Sequence, residues 1–160
     1  MRVGIGHDTH RLVADRPLIL GGVVISYSRG LAGHSDADVV LHALADALLG
    51  AAGLGDIGEH YPDTDPHWAG LDSGRLLKEV VGMVEERGWR MVNCDVIVHA
   101  EAPKLSGYKA AIKASVAGLL GVDLGAVNIK AKTGEKVGPI GRGEAMACEA
   151  VVLLERVEEK

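Results

Sequence analysis

The sequence predicts an α+β fold, a single-domain α/β sandwich in which a mixed sheet of four to five strands is covered by helices on one face. Two observations support this prediction. Segments that alternate in the period of a strand lie near both ends of the chain and in its middle, and three longer segments end at a glycine, as helices commonly do. At 160 residues the chain suits one core better than two, so we expect residues 1–160 to form a single domain.

The first elements follow from local patterns. Residues 2–10 alternate in the period of a strand, with Asp8 and His10 on the same face. The two apolar runs of residues 17–27 meet at a pair of glycines and predict a hairpin. A first helix is predicted to begin at Ser35, whose hydroxyl is typical of a helix cap, and to end at a glycine.

The remaining elements are assigned from turn residues and glycine stops. They are a long loop over 54–66, a helix over 72–88, a strand over 90–100, a loop and a third helix over 101–121, a strand over 126–133, a loop over 134–144 and a strand over 145–158. The last segment also fits a helix. A sheet covered on one side leaves its other face, or an edge, available for a partner subunit.

Composition limits the class of protein. Apolar residues make up 48% of the chain and charged residues 24%, values that are typical of a globular protein. The formal net charge of −5 argues against a general nucleic-acid surface. The two cysteines lack metal-site spacing, and neither a secretory signal nor a membrane-spanning run occurs, so we expect a cytoplasmic, soluble protein with free buried thiols and no membrane partner.

Two groups of residues are candidates for a metal site. Asp8 and His10 would direct a carboxylate oxygen and an imidazole nitrogen toward one point, but the pair alone is a weak signal, and the alternative is a strand end with two solvated polar groups. Asp38, His42 and Asp46 recur every four residues on an otherwise apolar helix. We expect Asp38 to cap that helix, whereas His42 is either a core histidine or a ligand. Two histidines and one aspartate with an open position would suit a catalytic zinc.

Five blocks of the sequence carry a resemblance to a known family. They are "RVGIGHDTHRL", "LILGGVVI", "GLAGHSDADVVLHALADALLGAAGLGDIGEHYPDTDP", "AEAPKL" and "NIKAKTGEKVGPIGRGEAMACEA". In these blocks, and nearly end to end, the chain resembles the 2-C-methyl-D-erythritol 2,4-cyclodiphosphate synthase family of the non-mevalonate isoprenoid pathway. The resemblance implies a homotrimer with active sites between adjacent subunits. It implies that 4-diphosphocytidyl-2-C-methyl-D-erythritol 2-phosphate is closed into the cyclic diphosphate while CMP leaves.

The resemblance also implies roles for individual residues. The positions that match metal ligands are Asp8, His10 and His42 for a zinc-type ion, and Glu135 for a Mg²⁺ or Mn²⁺ ion that bridges the diphosphate. The positions that match catalytic contacts to the phosphates are His34 and Thr133. Those that match substrate contacts are Ser35, Asp56, Ile57, Gly58, Tyr61, Asp63, Asp65 and Arg142. Those that match nucleotide contacts are Ala100, Pro103, Lys104, Leu105, Ser106, Ala131 and Lys132.

The start of the first helix bears on phosphate binding. His34 and Ser35 are predicted to open that helix, where free backbone N–H groups and the positive end of the dipole favour a phosphate. Capping alone would also explain Ser35. A second positive region is expected where Lys132, Lys136 and Arg142 share one loop of an acidic protein, which would suit a highly anionic substrate.

The chemistry implied by the resemblance needs neither a protein nucleophile nor a general base. The attacking group is the substrate's own 2-phosphate, which is largely ionised at neutral pH because its second pKa is about 6. Two other functions are kept as alternatives: a zinc phosphohydrolase that uses metal-bound water, and a trimeric ligand-sensing module whose metal serves assembly. The chain departs from the family pattern at Lys132 and Gly134, where threonines are frequent, and at Pro139 and Ile140, where Phe-Thr is frequent.

Overall fold

The computed structural model of the protein describes residues 1–62, 64–65 and 70–157. The strands are β1 (Arg2–Ala14), β2 (Leu18–Leu20), β3 (Val23–Ile25), β4 (Arg29–Leu31), β5 (Trp89–His99), β6 (Val127–Lys132) and β7 (Ala145–Arg156). The helices are α1 (Val39–Ala52), α2 (Ile57–His60), α3 (Ser73–Glu86), α4 (Lys109–Leu120) and α5 (Gly138–Gly141). Short 3₁₀ turns lie at Leu105–Gly107 and Leu124–Ala126.

The main sheet is mixed and has five strands in the order β4-β1-β7-β5-β6. Strands β5 and β6 are parallel, and the other neighbouring pairs are antiparallel. Strands β2 and β3 form the separate hairpin that the pair of glycines predicts. Because β7 lies at the centre of the sheet, the alternative interpretation of residues 145–158 as a helix is wrong. The α+β fold with a mixed sheet is confirmed.

Helix α1 packs directly on the backbone of β1, and this contact positions the candidate site. A Cβ atom added at Gly4 would lie 2.0 Å from the carbonyl oxygen of Ala47, and one added at Gly6 would lie 2.0 Å from that of Ala43. Glycine on the strand is what permits so close an approach. The alternation of buried and exposed residues along β1 follows from it, since Gly4 and Gly6 are buried while Ile5 between them is 72% exposed.

The predicted start of the first helix is wrong. Helix α1 begins at Val39, because the carboxylate of Asp38 accepts hydrogen bonds from the backbone N–H groups of Val40 and Leu41. Ser35 instead accepts from the N–H of Ala37 at 3.0 Å, and Ala37 has a φ of +59°, which interrupts any helix there. The capping role expected of Asp38 is confirmed.

Three short elements were not predicted. Strand β4 extends the pairing of β1 to Ala14, four residues beyond the predicted end of that strand. The predicted loop over 54–66 contains α2, and the predicted loop over 134–144 contains α5. Each element has at most four residues, so none has enough length to show a period in the sequence.

Both cysteines are free and buried, as predicted. Burial raises the pKa of Cys94 to about 11 and the pKa of Cys148 well above its usual value. The described residues contain no helix with the length and apolar character needed to cross a bilayer.

Candidate active site

Three predicted metal ligands converge on one point. The Oδ2 atom of Asp8 lies 2.9 Å from Nε2 of His10 and 2.9 Å from Nδ1 of His42, and the two nitrogens are 3.3 Å apart. Strand β1 supplies Asp8 and His10, and helix α1 supplies His42 from its first turns. All three side chains are half-buried. His42 therefore lies with Asp8 and His10 in a group that could hold a metal ion, and its role as a ligand stays a prediction.

The electrostatics of the three residues suit a cation. Burial by itself would raise the pKa of Asp8, but hydrogen bonds to His10 and His42 and their charges outweigh it, so the pKa lies well below its usual value. Burial would lower the pKa of His10, yet the hydrogen bond and charge of Asp8 outweigh this and raise that pKa. A carboxylate thus draws protons onto its imidazole neighbour, and a divalent cation would displace them.

The outer nitrogens of the two imidazoles also have partners. The ring of His10 hydrogen-bonds to the backbone of Ala32. Nε2 of His42 lies 2.9 Å from Oγ of Ser73 and 3.4 Å from Oγ of Ser35. When the ring nitrogen that faces away from the site has a hydrogen-bond partner, the nitrogen that faces the site is left to bind a metal. This is the usual arrangement around metal-binding histidines.

A cavity of about 810 Å³ opens over the three ligands. The predicted site residues that line it are Asp8, His10, His34, Ser35, His42, Ile57, Gly58, Tyr61 and Asp65. Leu71 and Leu76 add an apolar wall that sequence analysis did not anticipate. A concave site with apolar walls and a few convergent polar groups is the common form of a small-molecule site. Asp63, a further predicted contact, lies outside the described residues.

Helix α2 forms one side of this cavity. Its first residue, Ile57, donates its N–H to the carboxylate of Asp46 at 3.1 Å, so the third polar residue of the α1 stripe holds α2 in place. Asp56 caps α2 by accepting from the N–H of Glu59 at 3.0 Å. The hydroxyl of Tyr61 donates to Glu79, and burial, together with the charge of Glu79, raises the pKa of Tyr61 to about 12.

The expected phosphate site at the N-terminus of the first helix is not formed as predicted. The carboxylate of Asp38 already satisfies the N–H groups of Val40 and Leu41, and it also accepts from Gly21 and Gly22. His34 and Ser35 lie in the loop before the helix and line the cavity instead. Any phosphate contact by these two residues therefore comes from the loop and not from the helix N-terminus.

The predicted nucleotide contacts form a second cluster, at the ends of the parallel strands β5 and β6. Its members are Ala100, Pro103, Lys104, Leu105, Ser106, Ala131 and Lys132. The N–H of Ala100 donates to the carbonyl of Lys132 at 2.9 Å, which ties the two strand ends together. Among the residues that the structure describes, no member of this cluster lines the cavity over the metal ligands.

Strand register gives the separation of the two clusters. Lys132 pairs with His99 of β5, and His99 pairs with Ala147 of β7. Ala147 pairs in turn with Thr9 of β1, which lies beside the metal ligands. Since neighbouring strands are about 4.8 Å apart, three spacings place the two clusters about 14 Å apart within one chain.

The loop after β6 carries Thr133 and Glu135. The hydroxyl of Thr133 donates to Oε1 of Glu135 at 2.6 Å, and Glu135 and Lys136 have φ values of +50° and +62°. Residues other than glycine rarely adopt this left-handed conformation, which is found disproportionately at functional sites. A Cβ added at Gly134 would lie 2.4 Å from the backbone nitrogen of Gly141, so the loop folds closely on itself.

Arg142, a predicted substrate contact, lies at the end of this loop. Its guanidinium forms a bidentate ion pair with Glu144, at 2.7 and 3.1 Å. Both side chains are exposed. The structure therefore places Arg142 against Glu144 and away from the lining of the metal-site cavity.

The donor sets fit the two kinds of metal in different ways. One carboxylate oxygen and two imidazole nitrogens within 4.8 Å of one another form a three-ligand set with room for a further ligand, as in catalytic zinc sites. Glu135 offers a single exposed carboxylate. That suits Mg²⁺, which proteins often bind through one or two carboxylates while the substrate phosphates complete the coordination.

The sequence and the fold are similar to those of known proteins. The family model described as the YgbB family matches residues 1–155, so the chain belongs to the YgbB family. A curated relative from Symbiobacterium thermophilum, named 2-C-methyl-D-erythritol 2,4-cyclodiphosphate synthase, is 57% identical over 96% of this chain and 98% of its own length.

Solved structures match as well. The bifunctional IspDF of Campylobacter jejuni has a TM-score of 0.95 at 46% identity over 98% of this chain, and this chain spans 42% of that longer protein. A 2C-methyl-D-erythritol-2,4-cyclodiphosphate synthase solved in its CDP-bound form has a TM-score of 0.89 at 39% identity, over 96% of this chain and all of the other.

Proposed function

We propose that the chain is a metal-dependent synthase that converts 4-diphosphocytidyl-2-C-methyl-D-erythritol 2-phosphate into 2-C-methyl-D-erythritol 2,4-cyclodiphosphate and CMP, in isoprenoid precursor synthesis. The observation that carries this proposal is the convergence of Asp8, His10 and His42 beneath a cavity large enough for the methylerythritol phosphate part of that substrate. The relative of the same name, 57% identical over almost the whole chain, supports it. The cytoplasmic location stays a prediction.

The reaction is an intramolecular phosphoryl transfer. An oxygen of the 2-phosphate forms a bond to the β-phosphorus, the bond from that phosphorus to the bridging oxygen breaks, and CMP leaves with the electron pair. Catalysis of such transfers depends mainly on positioning and electrostatics. Alignment of groups within one molecule reaches effective molarities of about 10⁵ to 10⁸ M, so folding the substrate back on itself is the main task of the site.

The residues of the chain divide this task. The proposed zinc-type ion, held by Asp8, His10 and His42, would supply Lewis-acid polarisation of a phosphate oxygen. In the proposal, His34 and Ser35 contact phosphate from the loop above the cavity, and Thr133 contacts the diphosphate. Glu135 would hold Mg²⁺ or Mn²⁺ at the diphosphate. The exposed N–H groups and carboxylates around α2 are suited to the sugar hydroxyls, where Asp56, Ile57, Gly58, Tyr61, Asp63 and Asp65 are the proposed contacts.

We also propose that the active form is a homotrimer with each site between two chains. The separation of about 14 Å between the metal cluster and the nucleotide cluster supports this, because one chain would then meet its neighbour's cluster across the interface. The uncovered face of the sheet supports it too. Val3, Ile5 and Val151 are 70%, 72% and 42% exposed on neighbouring strands β1 and β7, and an exposed apolar patch of this kind is typical of an interface.

Turnover in ¹⁸O-labelled water tests the proposal against hydrolysis. The purified protein with Zn²⁺ and Mg²⁺ should release CMP and form a cyclic product in which ³¹P NMR detects no ¹⁸O from the solvent. Incorporation of one solvent oxygen per CMP would contradict the proposal and favour a phosphohydrolase.

The variant His42→Ala tests the alternative of a sensing module. Loss of CMP release while the trimer persists in light scattering is the expected result. Collapse of the trimer, with no turnover by the unaltered protein under any metal condition, would contradict the enzymatic function and favour a metal used only for assembly.

A further inference from the structure

The outer nitrogen of His42, Nε2, is linked by hydrogen bonds to Ser73 and, through it, to Asp36. The sequence analysis did not assign either residue to the site. Nδ1 of His42 faces Asp8, and Nε2 lies 2.9 Å from Oγ of Ser73. Ser73 in turn donates its hydroxyl proton to Oδ1 of Asp36 in a short hydrogen bond, and its backbone N–H donates to Oδ2 of the same carboxylate at 3.1 Å.

The direction of these hydrogen bonds follows from the number of protons available. The hydroxyl of Ser73 has one proton, which Asp36 accepts, so its lone pairs face His42. Nε2 of His42 must then donate. Nδ1 donates to the carboxylate of Asp8 in the protein without metal, and a metal ion that replaces this proton would meet the Nδ1 lone pair while the Nε2 proton stays in place. Nδ1 is the nitrogen that points at Oδ2 of Asp8, at 2.9 Å.

Ser73 is not explained by the helix in which it lies. It is the first residue of α3, but Asp72 already caps that helix by accepting from the N–H of Arg75 at 2.7 Å. Its side chain is fully buried, and both of its partners belong to other segments of the chain. A buried hydroxyl needs hydrogen-bonding partners, and these two satisfy its proton and one lone pair.

The two imidazoles of the site are therefore held by different means. The ring of His10 uses the backbone of Ala32, which no side-chain substitution removes. The ring of His42 depends on side chains: Ser73 at 2.9 Å, with Asp36 behind it, and Ser35 at the longer distance of 3.4 Å. This asymmetry makes the orientation of His42 open to a direct mutational test.

We propose that Ser73 and Asp36 are positioning residues that fix the Nε2–H tautomer of His42 and aim its Nδ1 atom at the metal. The proposal rests on the metal site put forward under the proposed function. Substitution of such outer partners of metal ligands typically lowers metal affinity by about 10–100-fold.

Zinc affinity of the apoprotein, measured by competition with a chromophoric chelator, provides the first test. We expect Ser73→Ala and Asp36→Ala each to weaken Zn²⁺ binding by about 10–100-fold, and the double variant to be no weaker than the single ones, since both act through one chain of hydrogen bonds. Ser73→Thr keeps the hydroxyl and should restore affinity. Ser115→Ala on α4, the same chemical change away from the cavity lining, should leave it unaltered.

The outcomes separate the two proposals. If the unaltered protein does not bind Zn²⁺, the metal site itself is wrong. If it binds Zn²⁺ and folded Ser73→Ala binds equally well, only the positioning role is wrong.

A second measurement needs no variant. Long-range ¹H–¹⁵N correlation spectra of the zinc-loaded protein should show the His42 proton on Nε2. A proton on Nδ1, with the metal on Nε2, would overturn the positioning role even if the variants do not fold.

Discussion

The metal cluster and the nucleotide cluster are built in contrasting ways. Asp8, His10 and His42 lie on a long strand and a long helix whose backbones pack directly against each other, and every ring nitrogen of the two histidines has a partner. Thr133 and Glu135 lie instead on an exposed loop with left-handed residues, directly after the strand end that carries the nucleotide cluster. Glu101 supports this loop from a distant part of the chain, because its carboxylate accepts from the backbone N–H groups of Gly134 and Lys136 at 3.1 and 3.5 Å. The candidate metal ligands are thus ordered by the packing of two long elements, whereas Thr133 and Glu135 depend on a loop that one carboxylate supports.

The largest loss of stability is expected when the contact between α1 and β1 is disturbed. Gly6→Ala would place a Cβ 2.0 Å from the carbonyl of Ala43, and we expect a loss of about 3 kcal/mol or more in the free energy of unfolding, at or beyond the upper end for overpacking. Displacement of α1 would also move His42 away from Asp8, so zinc affinity should fall. Urea denaturation and chelator competition measure the two effects.

Gly82→Ala is the matched control for this substitution. A Cβ at Gly82, within α3, meets no atom within 4 Å, so the change should stabilise the protein by about 0.5–1 kcal/mol through helix propensity. Equal effects of the two substitutions would contradict the close packing of α1 on β1.

The buried cap of α1, Asp38, should make the stability of the protein depend on pH. Burial raises the pKa of Asp38 from its ordinary value of 3.8 to about 6, although four backbone N–H groups favour its anion. The folded state therefore holds this proton more tightly. The stability that the group contributes is fully present below about pH 4 and is lost as the pH rises through 6, a change of about 3 kcal/mol.

The variant Asp38→Asn isolates this effect. The unfolding free energy of the unaltered protein minus that of the variant should fall as the pH rises from 4 to 7 and stay constant above pH 7, since the asparagine does not titrate. Denaturation at a series of pH values measures the difference. A difference that does not vary with pH would contradict the raised pKa.

Substitution in the loop of Thr133 and Glu135 should lower the proposed activity more than the stability of the protein. Gly134→Ala would place a Cβ 2.4 Å from the backbone nitrogen of Gly141, and a shift of the loop would move Thr133 and Glu135. We expect a cost of about 1–2 kcal/mol and a marked fall in kcat, with unaltered zinc affinity at the other cluster. Reduced zinc affinity in this variant would show that the two clusters are not independent.

The smallest loss of stability is expected for a substitution on the surface of β5 and β6. The hydrogen bond from Lys130 is the main cause that lowers the pKa of Asp95, and the two side chains are 38% and 43% exposed. Lys130→Ala should therefore cost no more than about 1 kcal/mol. A lowered pKa stabilises the folded state at pH values above the pKa of the unfolded chain, and this stabilisation is lost on acidification. The loss of stability caused by Lys130→Ala should therefore be present at pH 7 and vanish at acidic pH. A cost that grows on acidification would be the opposite result.

The sequence was most informative where period and caps agree. Alternation predicted that Asp8 and His10 share one face of β1, and the glycines at 53 and 121 have φ values of +73° and +67°, as helix ends require. The convergence of Asp8, His10 and His42 could be proposed only through family resemblance, because residues 34 positions apart come together by packing that no local pattern specifies.

The features that sequence analysis missed are those set by long-range contacts. Asp36 and Ser73 look like an ordinary turn residue and the start of a helix, and their hydrogen bond spans 37 positions. The start of α1 was placed at Ser35 because a serine there is a good cap. The buried Asp38 is the stronger cap, since it also accepts from Gly21 and Gly22 of the hairpin, which the sequence does not place beside it.

X-ray absorption at the zinc edge tests the metal cluster most directly. The zinc-loaded protein should show two imidazole nitrogens and oxygen ligands at about 2.0–2.2 Å, and His42→Ala should lose one imidazole. A shell that contains sulfur at about 2.3 Å, or that lacks imidazole altogether, would contradict a metal centre formed by Asp8, His10 and His42.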